Sequence, residues 1–210
     1  MTEAKRLSVL TRLGARAMRT MTRVAMGYDP VFLDRLLDLL GPREVGAWGR
    51  EVNDTVAALE THCGAATTQH VIAFSAFFNG CPFCSVGHTY AGNLELFRAT
   101  GRLFPIDERD VLKLQRLDDD QLLRTLATKL GADDQETFER IVQMYELKTN
   151  LRTARTEVDD LMLRAVAAWD IITECTIVLE DVDPATVDPL TEIAKDKTLQ
   201  DRYQQARGRG

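Results

Sequence analysis

Two cysteines and a histidine have the spacing for thiol chemistry in the segment Cys-Pro-Phe-Cys-Ser-Val-Gly-His, residues 81–88. Pro82 suits the first position of a helix, because proline has no N–H to leave unpaired there. Cys81 then falls at or near the N-cap, and Cys84 lies one turn inside. Steps of three and four residues put Cys81, Cys84 and His88 on one helix face. The sequence therefore predicts that both sulfurs and the imidazole line one small patch.

A helix N-terminus favours a thiolate. Its unpaired N–H groups and its dipole lower the pKa of a cysteine from about 8.5 to as low as about 3.5. This effect favours Cys81 as the attacking thiol, whereas a histidine four residues after Cys84 favours Cys84. We prefer Cys84, because His88 can accept its proton, and a base that removes the proton activates a thiol more than a helix dipole does. Cys81 is then the second thiol, close enough to form a disulfide.

The elements that must position these residues are helices. The apolar run at residues 71–78 ends at Asn79-Gly80, a strong turn dipeptide. The next helix is expected from Pro82 to about Thr100, with Gly101 ending it. Thr67 or Thr68 could cap the helix before the turn. Since no alternating strand pattern of useful length occurs, the predicted fold class is all-α.

The rest of the chain is expected to form one helical body. We interpret residues 1–26 as a basic amphipathic N-terminal helix or extension, and residues 27–210 as a single all-helical domain that contains the motif. Further helices are predicted at residues 31–40, 43–63, 106–117, 121–130, 137–148, 156–179 and 190–205. Gly87, inside the motif helix, suggests either close packing against another helix or room for a substrate.

The pattern Asn-Gly-Cys-x-x-Cys-x-x-x-His, after an apolar helix, resembles the alkylhydroperoxidase D-like branch of the carboxymuconolactone decarboxylase superfamily. The likeness covers roughly residues 66–99. It implies a domain of about eight to ten helices, assembled as a homo-oligomer, either a trimer or a hexamer. It also implies peroxide reduction without a bound cofactor, with Cys84 as the peroxide-attacking thiol, Cys81 as the resolving thiol and His88 in a proton relay. An external dithiol, lipoyl-type or a small protein, would reduce the pair.

Two positions depart from the pattern of this family. The family has a glutamate twelve residues before the first cysteine, where this chain has Gln69. An amide can hydrogen-bond but cannot accept a proton at neutral pH. Peroxidase members can also carry a histidine just before the second cysteine, and here that residue is Phe83. We therefore place Gln69 in the site. Peroxidase activity would then depend on a proton relay without the glutamate carboxylate of the family.

Composition narrows the class of protein. With 210 residues and 45% hydrophobic residues, the chain can bury the core of one domain or of two small ones. It has no apolar run long enough for a transmembrane helix, and its net charge of −6 argues against general nucleic-acid binding. A CxxC pair with its own histidine indicates thiol chemistry in a reducing compartment, so we predict a cytoplasmic location.

Residues 1–26 carry six Lys or Arg and one acidic residue, Glu3. Leu10, Leu13, Met21 and Val24 follow a helical period roughly opposite the arginines. Three interpretations remain open: a helix that packs on the acidic body or on another subunit, a transit peptide, and a helix on a membrane surface.

The leading hypothesis is a thiol-dependent peroxidase or disulfide oxidoreductase for organic hydroperoxides. One alternative is a structural zinc site built from Cys63, Cys81, Cys84 and His88, although Cys63 lacks a close partner cysteine. A second alternative is a non-enzymatic helical oligomer or interaction protein with a degenerate redox site. A decarboxylase-like reaction on a cyclic acid ranks last, because decarboxylase members typically lack the cysteine pair.

Overall fold

The computed structural model describes residues 9–176 and 182–209. Within these residues there is no strand, and ten α-helices pack into one domain, which confirms the all-α prediction. The helices are α1 Val9–Met26, α2 Leu33–Leu40, α3 Pro42–Cys63, α4 Ala65–Phe78, α5 Pro82–Thr100, α6 Val111–Leu114, α7 Asp119–Leu130, α8 Gln135–Lys148, α9 Glu157–Thr176 and α10 Lys197–Ala206, with a 3-10 helix at Glu192–Lys195.

Helices α4 and α5 form the centre of the domain. Every residue of α4 from Thr68 to Phe77 is buried, because α5, α3, α8 and α9 surround it. A helix that is apolar on all sides needs such an environment. The two helices are joined at Asn79-Gly80, where Gly80 has a φ of +74°. Glycine adopts this backbone conformation without strain, so the predicted turn is confirmed.

The start of α4 differs from the prediction. The helix begins at Ala65, directly after Gly64, and neither Thr67 nor Thr68 caps it. Gly64 has a φ of +77° and turns the chain between α3 and α4 in one residue, so no capping side chain is needed. Thr68 is buried inside the helix, and the hydroxyl of Thr67 pairs with that of Thr137 at 2.9 Å.

The predicted helix at residues 106–117 is wrong for most of its length, because only Val111–Leu114 is helical. The preceding residues are held by polar contacts: the Asn93 side chain donates to the Ile106 carbonyl at 3.1 Å, and Arg209 forms ion pairs with Asp107 and Glu108. These tertiary contacts override the helical period of the segment.

Two other predicted helices differ at their ends. The predicted helix at residues 190–205 is divided at Asp196, whose side chain accepts the Leu199 N–H and so starts a new helix, α10. The predicted helix at residues 156–179 is observed as α9 up to Thr176, and its last residues lie outside the described part of the chain.

Helix α1 lies against α2 and the 3-10 helix. Arg19 donates to Asp29 at 2.7 Å and to Asp34 at 3.2 Å, which fixes the inner side of α1. Met21 and Val24 on its outer side are exposed. Within residues 9–176 and 182–209, none of the helices is both long enough and apolar enough to cross a membrane.

Gly87 serves packing. A Cβ at this position would lie 2.3 Å from Cγ of Leu190 and 3.2 Å from the Asp188 carbonyl oxygen. The backbone N–H of Leu190 also donates to the Gly87 carbonyl at 3.2 Å. The neighbour that requires glycine is therefore the extended segment before the 3-10 helix, rather than another helix or a substrate.

Candidate active site

Cys81 and Cys84 lie together at the N-terminus of α5. Cys81 is the N-cap, as predicted, and its sulfur accepts the backbone N–H of Cys84 at 3.2 Å. The Thr176 hydroxyl oxygen lies 3.0 Å from the Cys81 sulfur and 3.7 Å from the Cys84 sulfur. Both cysteines are free thiols and are at most 1% exposed. Two buried sulfurs thus share one hydroxyl.

The pKa values of the two thiols move in opposite directions. The Cys84 thiol donates to Cys81, which outweighs the cost of burial and, with the Thr176 hydroxyl and the Cys84 N–H, lowers the pKa of Cys81 to about 7. The same Cys84–Cys81 hydrogen bond, together with burial, raises the pKa of Cys84 well above its ordinary value. The first proton to leave the pair therefore comes from Cys81.

A cavity of about 610 Å³ reaches Cys84, which is within the usual size of small-molecule sites. Its inner wall contains Cys84, His88 and Gln69. Most other lining side chains are apolar and include Phe32, Leu36, Trp48, Val52, Ile72 and Leu190. Cys81 lies behind Cys84 and does not line the cavity, so a molecule in the cavity would meet the Cys84 sulfur first.

His88 does not hydrogen-bond to Cys84, in contrast to the expected relay. Its Nε2 accepts the indole N–H of Trp169 at 2.9 Å, and its Nδ1 lies 2.9 Å from the Gln69 side-chain oxygen. Because an indole N–H can only donate, the proton of the neutral imidazole is on Nδ1, from which it is donated to Gln69. Burial lowers the pKa of His88 to about 3, so the ring is uncharged.

The contacts of His88 continue to a carboxylate. The Gln69 side-chain nitrogen donates to a Glu60 carboxylate oxygen at 3.4 Å, so the amide lies between the imidazole and this carboxylate. Trp169, His88, Gln69 and Glu60 come from α9, α5, α4 and α3. An amide can orient and polarise the imidazole, but it does not accept its proton as a carboxylate would.

Sequence reasoning missed three residues of this site. Trp169, Thr176 and Glu60 belong to no recognisable motif in the sequence. Trp169 and Thr176 are seven residues apart on α9, two helical turns, and therefore lie on one face. That spacing is readable from the sequence, but the element that this face contacts is not.

His70 and Cys63, the latter a candidate zinc ligand, lie outside the site. His70 hydrogen-bonds to Asn93 at 3.0 Å and stacks on Phe104, and burial lowers its pKa to about 4. Cys63, at the end of α3, is not brought into a metal-binding cluster with the motif. Among the residues that the structure describes, no three His, Cys, Asp or Glu side chains are placed to hold a metal ion. The zinc alternative therefore lacks its ligand set here.

Replacing Trp169 with phenylalanine is expected to raise the pKa of His88 by about one unit, because the neutral ring loses the donor that occupies its Nε2 lone pair. The titration of the imidazole can be followed by NMR between pH 2 and pH 7. Trp48→Phe is the matched control, since Trp48 lines the same cavity without bonding to His88. An unchanged His88 titration in the Trp169 variant would contradict this assignment.

Comparison of the chain with protein-family models, with curated proteins and with solved structures finds no match. The interpretation of the site therefore depends on its own residues and geometry, and the resemblance carried by the motif stays a prediction.

Proposed function

We propose that this protein is a thiol-dependent peroxidase or disulfide oxidoreductase, which reduces organic hydroperoxides through Cys81 and Cys84. The observation that carries the proposal is the position of Cys84 in the wall of a mainly apolar cavity of about 610 Å³, with Cys81 next to it outside the lining. A CxxC pair at a helix N-terminus, with one thiol of low pKa, is suited to thiol–disulfide chemistry. The mainly apolar lining favours an organic peroxide over hydrogen peroxide.

The reduced pair holds one proton once Cys81 has ionised. In the proposed reaction, this proton moves from the Cys84 sulfur to the Cys81 sulfur, which leaves a Cys84 thiolate facing the cavity. The Cys84 sulfur attacks a peroxide oxygen, and an S–O bond forms as the O–O bond breaks. The departing alkoxide takes the proton that Cys81 received from Cys84. The products are an alcohol, a Cys84 sulfenic acid and a Cys81 thiolate.

The second step closes the disulfide. The Cys81 thiolate attacks the Cys84 sulfur, an S–S bond forms as the S–O bond breaks, and the hydroxide that leaves is neutralised by the proton that Cys81 released to the solvent when it ionised. The pair loses two electrons, which the peroxide has gained. An external dithiol, lipoyl-type or on a small protein, then returns two electrons by exchange. Such a reductant fits a reducing compartment, so we infer a cytoplasmic location, and the resemblance supports a homo-oligomer.

His88 has a different role here from the one expected. Because its nitrogens are bonded to Gln69 and Trp169, it is not the base for Cys84. The Cys81 thiolate, which forms before a Cys84 thiolate and accepts a hydrogen bond from the Cys84 thiol, takes the Cys84 proton in an uphill step, because the pKa of Cys81 is the lower of the two. His88 forms the cavity wall next to Cys84 as a neutral, fixed ring.

Mass spectrometry of the reduced protein tests the proposal. One equivalent of cumene hydroperoxide is expected to remove about 2 Da from the peptide that contains Cys81 and Cys84, and a dithiol should restore it. The same dose of hydrogen peroxide should act more slowly. The peptides with Cys63 and Cys175 are the internal controls and should keep free thiols. A Cys81–Cys84 peptide that stays reduced would contradict the proposal.

Two observations favour a second candidate, a non-enzymatic helical protein with a degenerate site. Gln69 and Trp169 occupy both nitrogens of His88, and both cysteines are buried. In that case, the thiol pair stays reduced after treatment with either peroxide, while the protein keeps its fold and assembly. The same mass measurement therefore separates the two functions.

A further inference from the structure

The Thr176 hydroxyl has four possible hydrogen-bond partners and a single proton. Its oxygen lies 3.0 Å from the Cys81 sulfur and 3.7 Å from the Cys84 sulfur. On its other side are the carbonyl oxygens of Ile172 at 3.0 Å and of Thr173 at 3.3 Å. Thr176 is 1% exposed, so bulk water does not compete for the hydroxyl. The proton therefore goes either to the helix carbonyls or to a sulfur.

We propose that the Thr176 hydroxyl is a catalytic group, which donates to the Ile172 carbonyl while Cys81 is protonated and turns to donate to the Cys81 sulfur once it is a thiolate. The inference rests on the proposed function, because Cys81 and Cys84 carry the reacting sulfurs. It adds Thr176 to the residues of the proposed reaction. Thr176 contacts both sulfurs although it lies 95 positions from Cys81 in the chain.

A hydroxyl suits both states of the sulfur. It has one donor and two acceptor lone pairs, so it can accept from a thiol S–H and donate to a thiolate after rotation about its C–O bond alone. A hydrogen bond to a charged acceptor is roughly twice as strong as one between neutral groups. The change of acceptor, from the Ile172 carbonyl to the charged Cys81 sulfur, therefore stabilises the thiolate. The Ile172 carbonyl remains an acceptor in the backbone hydrogen bonding of α9.

Tyr28, His88 and Cys175 are uncharged, whereas the Glu60 carboxylate lines the same cavity and accepts from Gln69 rather than contacting a sulfur. Arg50 and Glu192 also line this cavity. On the cavity side, burial and then Cys84 raise the pKa of Tyr28 to about 12, and His88 is neutral. On α9, burial raises the pKa of Cys175. The groups that favour the Cys81 thiolate are hydrogen-bond donors: the Cys84 thiol, the Thr176 hydroxyl and the backbone N–H groups of Cys84 and Phe83. Removal of one of these donors should have a measurable effect.

The test compares Thr176→Val, which keeps the branched shape and replaces the hydroxyl with a methyl group, with Thr176→Ser, which keeps the hydroxyl. Thiolate absorbance at about 240 nm is recorded against pH for each reduced protein, and the curve of a Cys81→Ser variant is subtracted. The valine variant is expected to raise the Cys81 midpoint by about one pH unit. The serine variant should stay near the parent protein.

Thr173→Val is the matched control, because the Thr173 hydroxyl lies near Asn79, at 3.5 Å, rather than near a sulfur. It should leave the Cys81 midpoint unchanged. A second measurement is the equilibrium of the pair with dithiothreitol at pH 8. Loss of the hydroxyl should shift this equilibrium toward the disulfide by about fivefold, because the reduced pair loses a stabilised thiolate.

Equal midpoints for the parent protein and the valine variant would overturn the inference, and so would equal shifts in the valine and serine variants. The absorbance titration needs no peroxide. If the pair never forms a disulfide, the proposed function fails, while the titration still decides whether Thr176 stabilises the thiolate. If the pair cycles but the valine variant titrates like the parent, only the inference about Thr176 fails.

Discussion

Replacing Cys84 with serine is expected to abolish peroxide-dependent turnover, with a fall in rate of about a thousandfold or more. Cys84 lines the cavity, whereas Cys81 lies behind it, so the serine variant has no thiol where a peroxide would meet the protein. The measurement is peroxide consumption in the presence of excess dithiol. Cys63→Ser and Cys175→Ser are the controls, and both should retain the activity of the parent protein.

Cys81→Ser is expected to give a different defect from Cys84→Ser. Cys84 still meets the peroxide, but it lacks the thiolate that takes its proton and the thiol that closes the disulfide. The protein should be oxidised once, slowly, and stop at a sulfenic acid that dimedone traps at Cys84. If instead the Cys84 variant is trapped at Cys81, the thiol of lower pKa is the attacking one and the roles are reversed.

The largest expected effect on stability is at Asp159, near the start of α9. This side chain is 0% exposed. One carboxylate oxygen accepts from Gln143 at 2.8 Å and pairs with Arg152 at 3.2 Å. The other accepts the backbone N–H groups of Arg155 and Thr156 and the Thr156 hydroxyl. Burial would raise the pKa of Asp159, but these hydrogen bonds outweigh it and hold the pKa well below its usual range.

Asp159→Asn is expected to lower the free energy of unfolding by about 3 kcal/mol, because an amide N–H₂ would replace an oxygen that only accepts and leave buried donors unpaired. Urea denaturation at pH 7 measures the loss. Asp160→Asn, at an exposed position one residue further on, is the matched control and should change stability by less than about 0.5 kcal/mol. Equal effects of the two changes would contradict the role of Asp159.

The same pair of variants has a pH signature. The folded-state pKa of Asp159 is depressed, so its contribution to stability is complete above the unfolded-state pKa of about 3.9 and is lost as the pH falls further. The difference in unfolding free energy between the parent protein and Asp159→Asn should therefore be constant near neutral pH and shrink below about pH 4. A difference that does not change down to pH 2 would contradict this prediction.

Local features of the sequence were sufficient to predict the helix that carries the thiols. Asn79-Gly80 makes the turn, Cys81 is the N-cap, and Gly101 ends α5 in a left-handed conformation. Each of these features depends on residues within about one helical turn of one another, so residue type and spacing determine them. The all-α class followed in the same way from apolar periodicity along the chain.

Local spacing failed where distant residues decide the outcome. Residues 106–117 have a helical pattern, yet ion pairs between Arg209 and Asp107 and Glu108 hold most of the segment in another conformation. His88 is four residues after Cys84, as a base would be, yet its ring is bonded to Trp169 and Gln69. The residues that contact these side chains in the packed core are distant in the chain, so the local sequence does not reveal them.

Residue types and their spacing were therefore enough to predict the helical class, the turn before the motif and the placement of Cys81 at a helix N-terminus. The packing of distant elements was needed to show that Cys84 lines the cavity, that the Thr176 hydroxyl contacts both sulfurs and that His88 is neutral. The reason is that capping and turn formation act between near neighbours in the chain, whereas burial and the pKa shifts it causes depend on all the elements that pack around a group.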